Sequence, residues 1–274
     1  MKTLNESLEE LKVIRVSPKE RLVPTGFSSL DCDLGGGLPL GVSIVASMPG
    51  VGKTTFCLQM ALNMAKEEHT QVLYISVEQI VPDLLAKLLN NLSNTIEELP
   101  SHTREEIRRN NEPIDEADYD ILANYLTDIV GNRLHLLYSR DFSEIRKEIE
   151  KLRPTYQEDR LVVFVDYIQY IDLEENKSEY DSIGYHLNEI DKLTKKDSIT
   201  TICISSVPKD KYNKHGLDIC EGNGRIGFAS IDFFSLKSIS DNLIELRIDK
   251  AKYGAHDIDR TFNYYAEHDY FEEN

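Results

Sequence analysis

Residues 47–55, Ser-Met-Pro-Gly-Val-Gly-Lys-Thr-Thr, constrain this chain more than any other stretch. They follow the apolar run Val42-Ser43-Ile44-Val45-Ala46-Ser47. They open a stretch, residues 54–67, in which Phe56, Met60 and Met64 recur at helical spacing. A glycine-rich turn between a buried strand and a helix lets backbone N–H groups converge on a polyphosphate. The helix N-terminus adds positive potential at the same place. In such a turn the lysine, Lys53, reaches the β and γ phosphates, and the next hydroxyl, that of Thr54, ligates Mg2+. Ser47, Met48, Pro49, Gly50, Val51, Gly52, Lys53, Thr54 and Thr55 are thus the candidate nucleotide-binding residues, with ATP and Mg2+ as ligands. The first position of this pattern is usually glycine; here it is Ser47, which is also small.

Further apolar runs predict the rest of a sheet. Residues 72–78, 134–139, 161–166 and 200–205 read as strands, and the lack of polar alternation in Leu161-Val162-Val163-Phe164-Val165-Asp166 suits a parallel sheet covered on both faces. Residues 83–150 look mostly helical, with breaks at Pro100, Pro113 and Gly131. Ile183, Leu187, Ile190 and Leu193 share a helical face, and residues 243–254 and 259–267 suit a closing hairpin. The expected fold is α/β: a mostly parallel, doubly wound sheet with helices on both faces and a C-terminal β-hairpin. At 274 residues the chain has room for one large domain, and no internal repeat interrupts it.

Two carboxylates end strands near the glycine-rich turn. Asp166 occupies the place from which an aspartate holds Mg2+ through water. Glu78 ends the run 72–78, where a carboxylate can orient and deprotonate an attacking water. The bland alternative for each is a strand-end acid facing solvent. Lys53, Glu78 and Asp166 are the candidate catalytic residues, and Thr54 and Asp166 the candidate metal ligands.

With 31 basic and 48 acidic residues the net charge is −17, which argues against broad adhesion to DNA or acidic lipid but leaves room for a local basic strip. The acidic stretches 97–120 and 266–274 read as solvated faces and a frayed tail. No apolar run approaches a membrane span and residues 1–12 lack a signal-peptide core, so a cytoplasmic location without membrane partners is expected. Cys32, Cys57, Cys203 and Cys220 show no paired spacing and read as reduced thiols. Leu4, Leu8, Leu11 and Ile14 form an apolar stripe on a short helix ended by Ser17-Pro18. That stripe must pack either on its own domain or on a neighbouring subunit.

The motifs in this order resemble the RecA-like C-terminal ATPase domain of DnaB-type replicative helicases. The match opens at Pro24-Thr25-Gly26-Phe27-Ser28-Ser29-Leu30-Asp31 and runs through Gly35-Gly36-Gly37-Leu38, the P-loop and Glu78. It continues with Val165-Asp166-Tyr167-Ile168-Gln169 and ends at Lys250-Ala251-Lys252-Tyr253-Gly254. It covers residues 21–265, so residues 1–20 are expected to form an N-terminal arm and 21–274 the ATPase domain. The resemblance implies a homo-oligomer, a hexamer, acting on single-stranded DNA, with a loader or primase-like partner. It also implies that Lys250 and Lys252 reach the next subunit's ATP. The γ-phosphate sensor, a glutamine in the family, is Ser206 here, and the family's finger arginine is Lys252, which keeps the charge but loses the bidentate fork. Lys209, Lys211, Lys214 and Arg225 fall where the family contacts DNA; lysines so spaced can track a phosphate backbone, or simply sit on a solvated loop. The RadA branch shares part of the pattern, and a RadA or KaiC-like ATPase with a remodelling or regulatory output is the alternative within the same class. A weakly hydrolysing, nucleotide-gated scaffold is the alternative of another class.

Overall fold

The computed structural model describes residues 2–14, 22–108, 114–173, 178–211, 216–217, 219–220, 227 and 230–274. The apolar runs become strands β1 (Gly41–Ser47), β2 (Thr70–Ser76), β3 (Leu134–Tyr138), β4 (Arg160–Asp166) and β5 (Ile199–Ser206). β6 (Asp232–Ser240), β7 (Leu243–Lys250), β8 (Ile258–Tyr265) and β9 (Tyr270–Glu273) follow. They form one sheet in the order β3-β2-β4-β5-β1-β6-β7-β8-β9. Pairing is parallel from β3 to β6 and antiparallel from β6 to β9.

Helices cover both faces. Besides α1 (Leu4–Ile14) and α2 (Ser28–Asp33), they are α3 (Lys53–Lys66), α4 (Val81–Thr95), α5 (Arg104–Arg108), α6 (Glu116–Val130), α7 (Phe142–Thr155) and α8 (Glu179–Asp197). Successive strand residues point to opposite sides. Tyr74, Phe164 and Ile202 join α3, α4 and α6 in one core; Leu73, Val163 and Cys203 join α7 and α8 in the other. Helix starts are fixed locally: Asp115 accepts from Ala117 N at 2.9 Å and Asp141 from Ser143 N at 2.7 Å. Such caps contribute about 1 kcal/mol each.

The α/β sheet and the closing hairpin follow the sequence reading, and four points differ from it. α3 is buried on nearly every side, from Thr55 through Ala65, rather than on one face, because the sheet, α4, α6 and β9 enclose it. β2 ends at Ser76, so Glu78 lies in the following turn. β6, whose polar second half hides its apolar start, is an additional strand. The acidic tail is not frayed: β9 pairs with β8, and Phe271 is buried against Phe56 and Tyr264. In the other acidic stretch, Glu97, Glu98 and Glu116 are exposed as expected.

Leu4, Leu8 and Leu11 are 75%, 48% and 51% exposed, so this stripe does not pack on its own domain; the side chain of Ile14 lies outside the described residues. Cys57, Cys203 and Cys220 are buried and Cys32 is exposed, with no disulfide among the described residues. Among the described residues no helix is long and apolar enough to cross a membrane.

Candidate nucleotide site

Residues 48–52 turn the chain from the end of β1 into α3. Gly50 and Gly52 have φ of 83° and 96°, left-handed values that only glycine adopts readily. Gly52 is the N-cap of α3 and brings no side chain to its first turn, so the N-terminus of a 14-residue helix opens at the strand end. Uncapped N–H groups with aligned peptide dipoles favour an anion there. Lys53 lies beside this opening, its Nζ 5.3 Å from the centre of the Tyr167 ring.

Sheet order brings the carboxylates to the same place. β2, β4, β5 and β1 are consecutive, and their C-terminal ends are level: Ser76 pairs with Asp166, and Ser206 with Ser47. Ligands of such sheets bind beyond these strand ends. Val77 N donates to Asp166 O at 2.8 Å, which sets exposed Glu78 next to Asp166. Val207 N donates to Ser47 O at 3.0 Å, so buried Ser206 stands beside the start of the turn. The Gln169 amide bridges from the segment after β4 to the Ser205 hydroxyl at 2.7 Å.

Asp166 does not face solvent: it is 2% exposed. The Tyr74 hydroxyl donates to its Oδ2 at 2.8 Å, while Oδ1 has no hydrogen-bond partner among the described residues. Burial raises its pKa above the usual carboxylate value; Tyr74, the Thr54 hydroxyl and the Lys53 ammonium oppose that rise, and the nearby charge of Glu78 adds to it. A buried carboxylate oxygen without a partner, with a hydroxyl at its side, suits a hard divalent cation, so the residues present fit Mg2+. Tyr74 escaped the sequence reading, since a tyrosine inside an apolar strand looks like ordinary core.

Lys250 and Lys252 diverge. Lys250 ends β7 and its Nζ donates to Ser230 O, which holds its ammonium on its own subunit rather than toward a neighbour's ATP as the resemblance implied. Lys252 is exposed in the turn after β7, its Nζ 4.9 Å from the centre of the Tyr253 ring. Its backbone N–H is held by buried Asp232 at 2.8 Å, and the second oxygen of Asp232 accepts from Ser43 at 3.1 Å. Gly254 lets this turn lie on the glycine loop after α2: a Cβ there would collide with Asp33 O. Arg260 clamps the Asp33 carboxylate with both Nε and Nη2. Asp232 and Asp33 carried no sequence signal, since their partners lie far away in the chain. Lys211 ends a short 3-10 turn and is half-buried. The side chain of Lys209 and the whole of Lys214 and Arg225 lie outside the described residues.

Comparisons with known proteins agree with this architecture. The family model "DnaB-like helicase C terminal domain" matches residues 23–216. A Chlamydia trachomatis relative named "Probable plasmid replicative DNA helicase" is 24% identical over 247 residues, 85% of this chain and 51% of the relative. "Replicative DNA helicase DnaC" of Bacillus subtilis (strain 168) is 25% identical over 249 residues, 85% of this chain and 52% of the relative. The chain thus spans about half the length of the curated relatives it matches. Among solved structures, one of an isolated ATPase domain superposes with a TM-score of 0.83 at 18% identity, over 100% of this chain and 99% of that one. "The Structure Of A DnaB-Like Replicative Helicase And Its Interactions With Primase" gives a TM-score of 0.81 at 18% identity, over 98% of this chain and 68% of that one. At such identity these two establish the shared fold alone.

Proposed function

Because this chain belongs to the DnaB-like helicase C-terminal domain family, we propose that it is a ring-forming ATPase motor acting on single-stranded DNA. The observation that carries the proposal is that four strand ends lie level and side by side, with the glycine turn, Glu78, Asp166 and Ser206 at or just beyond them. In this reading the backbone N–H groups of residues 47–55, Pro49 excepted, cradle the phosphates of ATP, and Lys53 neutralises the β and γ groups. Thr54 and Asp166 hold Mg2+, which supplies charge neutralisation on the phosphate oxygens. Glu78, exposed at the rim, takes the proton of the attacking water. Lys252 meets the charge that develops in a neighbouring subunit's site. Lys209, Lys211, Lys214 and Arg225 contact the DNA backbone. Residues 1–20 act as an assembly arm on the ATPase domain 21–274. A hexamer working in the cytoplasm, with a loader or primase-like partner, completes the proposal.

Ser206 and Lys252 favour one further reading. Serine is too short to reach a γ phosphate as a glutamine amide does, and lysine lacks the fork that clamps it. A protein with these two replacements fits a slow, nucleotide-gated scaffold. ATP turnover with and without single-stranded DNA decides between the two. The motor reading expects stimulation by DNA, and turnover at least ~100-fold lower in Glu78→Gln with nucleotide binding retained. Slow turnover indifferent to DNA selects the scaffold, and unchanged turnover in Glu78→Gln removes Glu78 from the chemistry.

A further inference from the structure

The turn between β8 and β9 carries Asp269, whose side chain is 1% exposed. Its Oδ1 accepts from Lys87 Nζ at 3.0 Å and from Arg104 Nη1 at 2.9 Å. Its Oδ2 accepts from Asn90 Nδ2 at 2.8 Å, and its carbonyl from Asn91 Nδ2 at 2.9 Å. Lys87 Nζ also donates to the Thr55 hydroxyl at 3.1 Å, and that hydroxyl lies 3.5 Å from Asp269 Oδ1. One enclosed carboxylate therefore joins the first turn of α3, the middle of α4 and the start of α5. The neighbouring strand strengthens the joint: Gln59 exchanges two hydrogen bonds of 2.8 Å with the backbone of Phe271. The stacked rings of Tyr264 and Phe271 lie against Gly52, where a Cβ would come within 2.9 Å of Phe271 Cζ.

The partners are placed to matter for chemistry. Thr55 belongs to the P-loop, and α4 begins three residues after Glu78. The separation of α3 from α4 therefore governs where Glu78 stands relative to a bound phosphate. The turn geometry does not itself require a carboxylate. Asp269 has φ of 47°, a region that asparagine also enters readily. What requires it is the pair of cations: without the carboxylate, Lys87 keeps a charge at 12% side-chain exposure with no other counter-ion among the described residues.

We propose that Asp269 and Lys87 are positioning residues for ATP hydrolysis: their buried pair fixes α4, and with it Glu78, against the P-loop helix. The proposal rests on the ATPase reading above and extends it to a tail segment outside residues 23–216 that match the family model. A displaced general base slows chemistry more than binding, since backbone N–H groups and Lys53 still hold the phosphates.

The test uses the full chain with Asp269→Asn, Lys87→Gln and the double variant, whose neutral amides can hydrogen-bond each other. Fluorescent-nucleotide affinity, ATP turnover and amide hydrogen exchange are measured well below each melting temperature. The single variants are expected to lose about 10-fold in turnover with affinity changed less than about twofold, and the double variant to recover most of the loss. Unchanged turnover in Asp269→Asn, a parallel loss of binding and turnover, or no recovery in the double variant overturns the proposal. If the wild-type protein itself fails to hydrolyse ATP, the proposed function falls, and exchange then decides the joint by itself. Faster exchange in both 53–58 and 81–91 of Asp269→Asn supports it; a response confined to 266–274 overturns it.

Discussion

Replacing Tyr74 with phenylalanine removes one oxygen from the centre of the site and little else. The ring is fully buried and stacks on Phe164 with centroids 5.4 Å apart, a contact that phenylalanine keeps. The hydroxyl is the hydrogen-bond donor to Asp166 Oδ2, at 2.8 Å, and Oδ1 already has no partner among the described residues. A hydrogen bond to a charged acceptor is worth about 1.5–3 kcal/mol. At 2% exposure Asp166 has little access to water that would replace it. A loss near 2 kcal/mol lowers the melting temperature of a domain this size by roughly 4–8 °C. The assay is calorimetric or urea unfolding of the full chain, run in parallel in an Asp166→Leu background. With the carboxylate gone the hydroxyl has no charged acceptor, and Tyr74→Phe should then cost less than about 0.5 kcal/mol. An equal loss in both backgrounds would show that the hydroxyl acts through packing or through its other acceptor, Thr54 O at 3.4 Å, and wild-type stability of Tyr74→Phe alone would refute the assignment of Tyr74 as the support of Asp166.

Lys53→Ala should nearly abolish nucleotide binding, because it removes a charge-assisted contact to the phosphates; wild-type affinity for a fluorescent nucleotide in that variant would move the site elsewhere. Lys252→Ala keeps its own P-loop but deprives its neighbour, so mixing it with Lys53→Ala should restore turnover above the sum of the two. Full ATPase activity in Lys252→Ala alone would sink the shared-site idea. Residues 1–16 include the stripe of Leu4, Leu8 and Leu11, which is exposed, so the test is to remove them. Their removal should weaken oligomers without unfolding the domain, and light scattering that gives the same mass before and after would exclude an assembly role for the arm.

The parts legible in the sequence are those whose cause is local. β1 and β4 show no polar alternation of exposed residues because both sheet faces are covered. The turn before α3 announces itself because its φ values admit little but glycine, and the acid ending β4 falls at a strand end by simple counting. What stayed hidden depends on distant partners. Asp269 reads as one acid among several in a polar tail, and nothing near it predicts Lys87, 182 residues upstream. β6 is apolar in its first half and exposed in its last, so it matches neither the continuous pattern nor strict alternation. The resemblance treats Lys250 and Lys252 alike; only the placement of Ser230 shows that Lys250 is held back.

The position of β1 between β5 and β6 also dictates when the strand that carries the glycine turn can be completed. Ser43 of β1 finds Asp232 across 189 residues. Closing a loop of that length costs only about 2 kcal/mol more than closing one of about 20 residues, so the delay is set by synthesis rather than by entropy. At ribosomal speeds of about 5–20 residues per second, β1 waits roughly 10–40 s for its second neighbour to be made. During that interval an apolar strand stands with open edges, the state most exposed to pairing with another nascent chain. Codon pauses placed between β1 and β6 should therefore lower the soluble yield more than the same pauses placed after β6.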